Sequence, residues 1–85
     1  AYMKIYWNGD SKNIIGPKLK ELREKAGLSQ EALAGKLSLR GTDFSALMIL
    51  RIEKGQRFVP DYELLALAEY FGVSTDYLLG RVKKY

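Results

Sequence analysis

The hydroxyl groups of three serines are the first candidates for chemistry in this chain. Ser29, Ser45 and Ser74 each stand directly before a stretch of helical spacing, where a serine side chain typically caps the first backbone N–H groups of a helix. A serine nucleophile needs a neighbouring base, and the 85-residue chain contains no histidine and no cysteine. These serines are therefore interpreted as helix caps rather than as nucleophiles. The sequence predicts that the chain is not an enzyme and has no catalytic residue.

The sequence gives equally little support to a catalytic pair of carboxylates or to a metal site. Glu21 and Glu24 lie among Lys20, Arg23 and Lys25, which is the ordinary charge pattern of an exposed helix. Without histidine or cysteine, structural zinc and disulfide bonds are not expected. A glycine-rich phosphate loop of the P-loop kind is also missing from the sequence. We therefore expect no cofactor and no metal.

The basic residues indicate a different chemistry, the binding of phosphate. The chain has 14 Lys and Arg against 10 Asp and Glu, a net charge of +4 and a pI near 9.4. Residues 58–80 contain acidic but no basic residues, so the positive charge is confined to the rest of the chain. This asymmetry fits a phosphate-facing surface. Acidic residues also favour helix N-termini, and the sequence leaves both interpretations open.

Length and apolar runs predict one small domain away from membranes. A chain of 85 residues can bury a single compact core. Apolar runs such as Ala46 to Leu50 are far shorter than the roughly 20 residues of a membrane-spanning helix, so a cytoplasmic protein with no membrane contact is expected. We divide the chain into an aromatic and polar extension (1–13), a helical domain (14–80) and a basic tail (81–85).

The spacing of apolar and capping residues predicts an all-α fold of five helices. The expected limits are a start between Asn13 and Pro17 with an end at Gly27, then Ser29 to Leu37, Ser45 to Lys54, Pro60 to Gly72 and Ser74 to Gly80. The connection from 38 to 44 is longer than the common turn of three or four residues, and residues 2–7 could form a short strand. The expected core is Leu19, Leu22, Leu33, Ala34, Leu37, Ile49, Ile52, Leu64, Leu67, Ala68, Phe71, Val73 and Leu78.

Four groups of short sequence motifs carry a family resemblance. They are Ile15-Gly16-Pro17 with Glu21-Leu22-Arg23, Gly27-Leu28-Ser29-Gln30-Glu31-Ala32-Leu33-Ala34, Arg51-Ile52-Glu53-Lys54-Gly55-Gln56-Arg57, and Leu64-Leu65-Ala66-Leu67-Ala68 with Phe71-Gly72-Val73-Ser74. Over about residues 14–80 this order resembles the XRE family, the Cro- and lambda-repressor-like helix-turn-helix regulators. The resemblance implies a five-helix lambda-repressor-like domain and a sequence-specific, repressor-like transcriptional regulator that binds a double-stranded DNA operator.

The third helix is expected to be the one that reads DNA. At roughly 100° per residue, Ile49 and Ile52 fall on one side of this helix, and its other side should face outward. The resemblance places that outward side in the major groove, which makes the candidate base contacts Ala46, Leu47, Leu50 and Arg51. Apolar side chains can touch thymine methyl groups and Arg51 can contact guanine. The alternative is that Ala46, Leu47 and Leu50 form a protein-interaction or dimerisation surface on a helix-turn-helix scaffold.

Phosphate contacts are expected from residues that come before and after the third helix in the sequence. Gln30 begins the second helix, where exposed N–H groups and the helix dipole favour an anion, and the resemblance implies that this glutamine clamps the DNA backbone. Lys54, Gln56 and Arg57 follow the third helix closely enough to reach neighbouring phosphates. The full set of candidate phosphate contacts is Ser29, Gln30, Arg40, Ser45, Lys54, Gln56 and Arg57.

The resemblance also implies a homodimer on DNA. One recognition helix reads only a few base pairs, and dimers of this kind bind half-sites about 34 Å apart. The candidate partner surfaces are the fifth helix with Leu79, the tail with Val82 and Tyr85, and the aromatic segment from Tyr2 to Trp7.

Overall fold

The computed structural model of this protein describes residues 9–83. Within that range the chain folds into five α-helices, and the predicted all-α class is confirmed. They are α1 (Gly16–Lys25), α2 (Gln30–Leu39), α3 (Ala46–Glu53), α4 (Asp61–Phe71) and α5 (Thr75–Leu78). The strand predicted for residues 2–7 and the tail residue Tyr85 lie outside the described residues. No helix between residues 9 and 83 has the length and apolar character needed to cross a membrane.

Serine hydroxyls cap three of the helices, as predicted. The hydroxyl oxygens of Ser29, Ser45 and Ser74 accept from the N–H groups of Ala32 at 3.0 Å, Met48 at 3.1 Å and Tyr77 at 3.0 Å. Each bond satisfies a backbone donor that the first turn of a helix leaves without an intrahelical partner. The capping role that the sequence favoured for these serines is therefore confirmed.

The end of α2 differs from the prediction. α2 runs to Leu39 because Gly41, with a φ of 86°, closes the helix later than Leu37. The Gly41 N–H donates to Ser38 O and the Thr42 N–H donates to Leu37 O, both at 3.0 Å, which is the bond pattern of a Schellman motif. The prediction of a connection from 38 to 44 is therefore wrong, and residues 40–45 join α2 to α3.

The core lies where α3 packs against both α1 and α2, and α5 packs against α4. The predicted core residues that are buried there are Leu19, Leu22, Leu33, Ala34, Leu37, Ile49, Ile52, Leu67, Ala68 and Leu78. The other predicted core residues, Leu64, Phe71 and Val73, are only partly buried and pack against the buried core. The prediction also omitted three residues that are buried, Ile15, Phe44 and Tyr77.

Candidate nucleic-acid interface

The predicted recognition helix, α3, buries one side and exposes the other, as its spacing predicted. Ile49 and Ile52 are fully buried and hold the helix against the core. The four predicted base-contact residues lie on the other side, with Leu47 51 % exposed, Arg51 exposed, and Ala46 and Leu50 half-buried. This surface offers methyl groups and one guanidinium, which can pack against thymine methyl groups and donate to a guanine edge.

Lys54 and Gln56 lie exposed at the end of α3 and in the loop that follows it. Across residues 9–83, no hydrogen bond or ion pair engages the side chain of Lys54, Gln56 or Arg51. An ammonium and an amide that are not engaged within the protein can bind phosphate oxygens without first breaking internal bonds. The structure thus leaves two of the predicted phosphate contacts available for that role.

Arg57 has partners inside the protein. Its guanidinium forms two bonds to the Glu63 carboxylate on α4, one of them from Nη2 to Oε2 at 3.1 Å, and it donates to Phe58 O at 3.1 Å. The Glu63 side chain is only 8 % exposed and that of Arg57 is 28 % exposed. Arg57 therefore joins the loop after α3 to α4, and its predicted phosphate contact stays a prediction beside this structural role.

At the start of α2, Gln30 is turned toward α3. Its Nε2 donates to Glu53 Oε1 at 3.0 Å, which fixes the amide next to the exposed N–H groups of the first turn. The neighbouring Ser29 hydroxyl accepts the capping bond and keeps its own proton to donate. The structure places both residues at the helix N-terminus, where an anion is favoured, and their phosphate contacts remain predicted.

A partly buried ion pair between α1 and α3 is the main feature that the sequence interpretation missed. Arg23 Nε donates to Glu53 Oε2 at 2.6 Å and Nη2 donates to Oε1 at 3.0 Å, while Nη1 donates to Leu28 O at 2.8 Å. The two side chains are 12 % and 4 % exposed. Hydrogen bonding to Glu53 raises the pKa of Arg23, and burial partly opposes that rise. With Gln30, this pair fixes the end of α3 to both α1 and α2.

A signal for this pair was present in the sequence. Arg23 follows Leu22 in the first helix and Glu53 stands inside the phrase Arg-Ile-Glu-Lys-Gly, so both residues belong to the motifs that carry the family resemblance. An acidic residue in the last turn of a helix is unfavourable with respect to the helix dipole. Glu53 occupies such a position in α3, and its ion pair with Arg23 gives the physical reason.

Arg40 and Ser45 lie at the two ends of the connection between α2 and α3. The Arg40 guanidinium lies 5.6 Å from the centre of the Tyr70 ring on α4, a cation–π distance. The Ser45 hydroxyl accepts the capping bond of α3. Both are exposed, and both remain predicted phosphate contacts. Among the residues from 9 to 83, no three His, Cys, Asp or Glu side chains group as metal ligands would.

Comparison with known protein families agrees with this geometry. The profile of a family described as a helix-turn-helix domain matches residues 16–84. Among curated proteins, the chain is 39 % identical over 67 residues to the HTH-type transcriptional regulator ImmR of Bacillus subtilis (strain 168). The match covers 79 % of this chain and 49 % of ImmR, so the chain spans about half the length of that relative.

Solved structures with a similar arrangement of helices include two DNA-binding proteins. The P22 c2 repressor in complex with a synthetic operator superposes with a TM-score of 0.67 at 27 % identity, covering 82 % of this chain and 98 % of that one. The DNA-binding domain of BldD superposes with a TM-score of 0.70 at 27 % identity, covering 86 % of this chain and 99 % of that one. With the matched residues and the geometry of α2 and α3, these similarities establish that the chain belongs to the helix-turn-helix domain family, in its XRE-type branch of Cro- and lambda-repressor-like regulators.

Proposed function

We propose that this chain is the DNA-binding domain of a repressor-like transcriptional regulator and that α3 reads the major groove of double-stranded DNA. The observation that carries the proposal is the outward side of α3, where Leu47 is 51 % exposed and Arg51 is exposed beside the exposed Lys54 and Gln56. Support also comes from relatives described as a transcriptional regulator and as a repressor bound to an operator.

The chain is not an enzyme, because the helix-turn-helix regulators to which it belongs are non-enzymatic DNA-binding proteins. Its action is therefore binding, and each element has a part in it. The bonds from Arg23 and Gln30 to Glu53 set the end of α3 against α1 and α2. A recognition helix held in this way loses little conformational freedom when it binds. We place this action in the cytoplasm, where the operator of such a regulator would be found.

The sequence preference follows from the side chains on the outward side of α3. Ala46, Leu47 and Leu50 would contact thymine methyl groups, and Arg51 would donate to O6 and N7 of one guanine. We therefore expect an A·T-rich site that contains one preferred G·C pair. Lys54 and Gln56 would bind the flanking phosphates and contribute affinity without sequence preference.

A selection from a random library of DNA duplexes tests this function. The wild type should enrich an A·T-rich motif at moderate salt. Leu47→Glu should abolish the enrichment, because it places a carboxylate against the bases and phosphates. Leu39→Glu is the matched control, since Leu39 is 89 % exposed at the far end of α2, and it should enrich the same motif as the wild type.

The second candidate function is a protein-interaction module that uses the apolar side of α3. The half-exposed Leu47 beside Ala46 and Leu50 favours it, since exposed apolar groups often mark interfaces. In that case the wild type would enrich no motif, and its DNA affinity would be weak and strongly salt-dependent. Leu47→Glu would then abolish self-association or partner binding, whereas Leu39→Glu would not.

We further propose that the chain binds its operator as a homodimer. An exposed apolar row supports this proposal, formed by Phe58, Tyr62 and Leu65, which are 43 %, 69 % and 52 % exposed. Phe58 follows the loop after α3 and the other two lie on one side of α4. The sequence-based alternatives, α5 with Leu79 and the tail with Val82, remain surfaces to compare with it, whereas Tyr85 and the segment from Tyr2 to Trp7 lie outside the described residues.

A further inference from the structure

The segment that precedes α1 crosses the end of the recognition helix and is bonded to it. The Lys12 N–H donates to Gly55 O at 2.8 Å. Asn13 Nδ2 donates to Ile52 O at 3.1 Å and to Arg57 O at 2.8 Å. On its other side, Asn13 Oδ1 accepts from the Gly16 N–H at 2.9 Å. One amide side chain thus joins the start of α1, the end of α3 and the loop that follows α3.

The contact is made at backbone distance, which leaves no space for a side chain between the two segments. Gly55 is buried and has a φ of 73°. A Cβ atom at this glycine would lie 2.9 Å from Ser11 Cβ, closer than such atoms approach in proteins. Residues 11–13, hereafter the N-terminal latch, therefore lie directly on the loop.

Asn13 donates hydrogen bonds to residues at both ends of the loop that follows α3. Ile52 O belongs to the last turn of α3, and Arg57 O lies at the far end of the loop, with Lys54 and Gln56 between them. Fixing both ends restricts the positions that these two exposed side chains can take. A preorganised binding group loses less conformational entropy on binding than one that must be ordered by its ligand.

We propose that Asn13 is a positioning residue for DNA binding, which holds the loop from Lys54 to Arg57 so that Lys54 reaches a phosphate while α3 lies in the groove. This inference rests on the proposed DNA-binding function. Asn13 lies before the first helix and is not expected to contact DNA itself. Its contribution to the affinity would come through the phosphate contact made by Lys54.

The test compares Asn13→Ala with the wild type on the duplex that the wild type enriches, with binding measured over a range of salt concentrations. We expect about tenfold weaker binding and a salt slope reduced by about 0.9, the value of one phosphate contact. Ala68→Gly is the control, because it weakens α4 away from the latch, and it should leave the slope unchanged. Both variants are compared where circular dichroism shows them folded.

A double mutant separates positioning from a general loss of stability. If Asn13 acts through Lys54, then Lys54→Ala should lower the affinity much less in the Asn13→Ala background than in the wild type, because the same contact is already lost. If Asn13→Ala does not fold, Asn13→Thr takes its place, since a threonine hydroxyl can accept from the Gly16 N–H but cannot donate to both carbonyls.

The outcomes also distinguish this inference from the proposed function. Binding of Asn13→Ala within about twofold of the wild type, or additive effects in the double mutant, would overturn the positioning role. If the wild type enriches no duplex, the proposed sequence-specific function fails first. The salt slope on a mixed-sequence duplex then decides, because equal slopes for the wild type and Asn13→Ala overturn the positioning role and a smaller slope for the variant supports it.

Discussion

Arg51 and Lys54 lie one helical turn apart and are expected to contact different parts of the DNA. Arg51→Ala should cost about 1–3 kcal/mol at a single base pair and relax the preference there, because a bond to a base edge is lost. Lys54→Ala should weaken binding to all sequences and reduce the salt slope by about 0.9. The measurement is a salt titration with the enriched duplex and with its single-base-pair variants. Equal effects of both substitutions on every duplex would contradict this division.

Arg57 was expected to behave like Lys54, and the structure predicts a different result. Arg57→Ala leaves the carboxylate of Glu63, which is 8 % exposed, without its charged partner. We expect a loss of about 1–3 kcal/mol in the free energy of unfolding, measured by urea denaturation. Adding Glu63→Gln should recover part of the loss, because a neutral amide is less costly to bury than an unpaired carboxylate. Unchanged stability together with a smaller salt slope would instead indicate a phosphate contact alone.

At the scale of the elements, α1 and α3 meet at backbone distance. Gly16, the first residue of α1, is buried, and a Cβ there would lie 2.5 Å from Ile52 O and 3.0 Å from Glu53 O in the last turn of α3. This places the positive end of α1 against the last carbonyl groups of α3, which is a favourable arrangement of helix dipoles. The position of α3 therefore depends on Gly16, a residue without a side chain in another helix.

Two glycine substitutions test this contact between helices. Gly16→Ala should destabilise the protein by about 1–3 kcal/mol, because backbone atoms must move to admit the methyl group. Gly35→Ala in α2 should stabilise it by about 1 kcal/mol, since nothing lies within 4 Å of the added Cβ and alanine is the better helix former. Thermal or urea unfolding of both variants is the measurement. A Gly16→Ala variant as stable as the wild type would show that the backbones of α1 and α3 can move apart enough to admit a methyl group without loss of stability.

At the scale of the whole molecule, the proposed homodimer would pair two copies through the exposed row of Phe58, Tyr62 and Leu65. Tyr62→Lys should weaken dimerisation, because it places a charge in an apolar interface. Leu39→Lys is the control, since it changes an exposed leucine outside the row and should leave assembly unchanged. Sedimentation at micromolar concentration, with and without the enriched duplex, measures the effect. A wild type that stays monomeric on its duplex would refute the homodimer.

Much of the local structure could be predicted from the sequence, because its causes are local. The serine caps at Ser29, Ser45 and Ser74 and the buried side of α3 at Ile49 and Ile52 follow from residue type and helical period. The phrases that carry the family resemblance lie within single helices and turns, so the family could also be recognised from the chain alone. The sequence pattern predicts the end of α2 at Leu37, which is too early. The helix is closed by the bond from the Thr42 N–H to Leu37 O, and Thr42 lies outside the apolar pattern on which the prediction rests.

Only the tertiary structure decided which polar side chains meet. Arg23 bonds to a residue 30 positions away and Asn13 to one 44 positions away. Basic side chains are long and the chain has 14 of them, so spacing alone cannot select one partner among many. Arg57 illustrates the result, since its type and position fit a phosphate contact and the fold brings it to Glu63. Sequence determined the helices and the side of α3 that faces outward, whereas packing determined which charges remain available for DNA, because a charge that is buried must find its partner inside the protein.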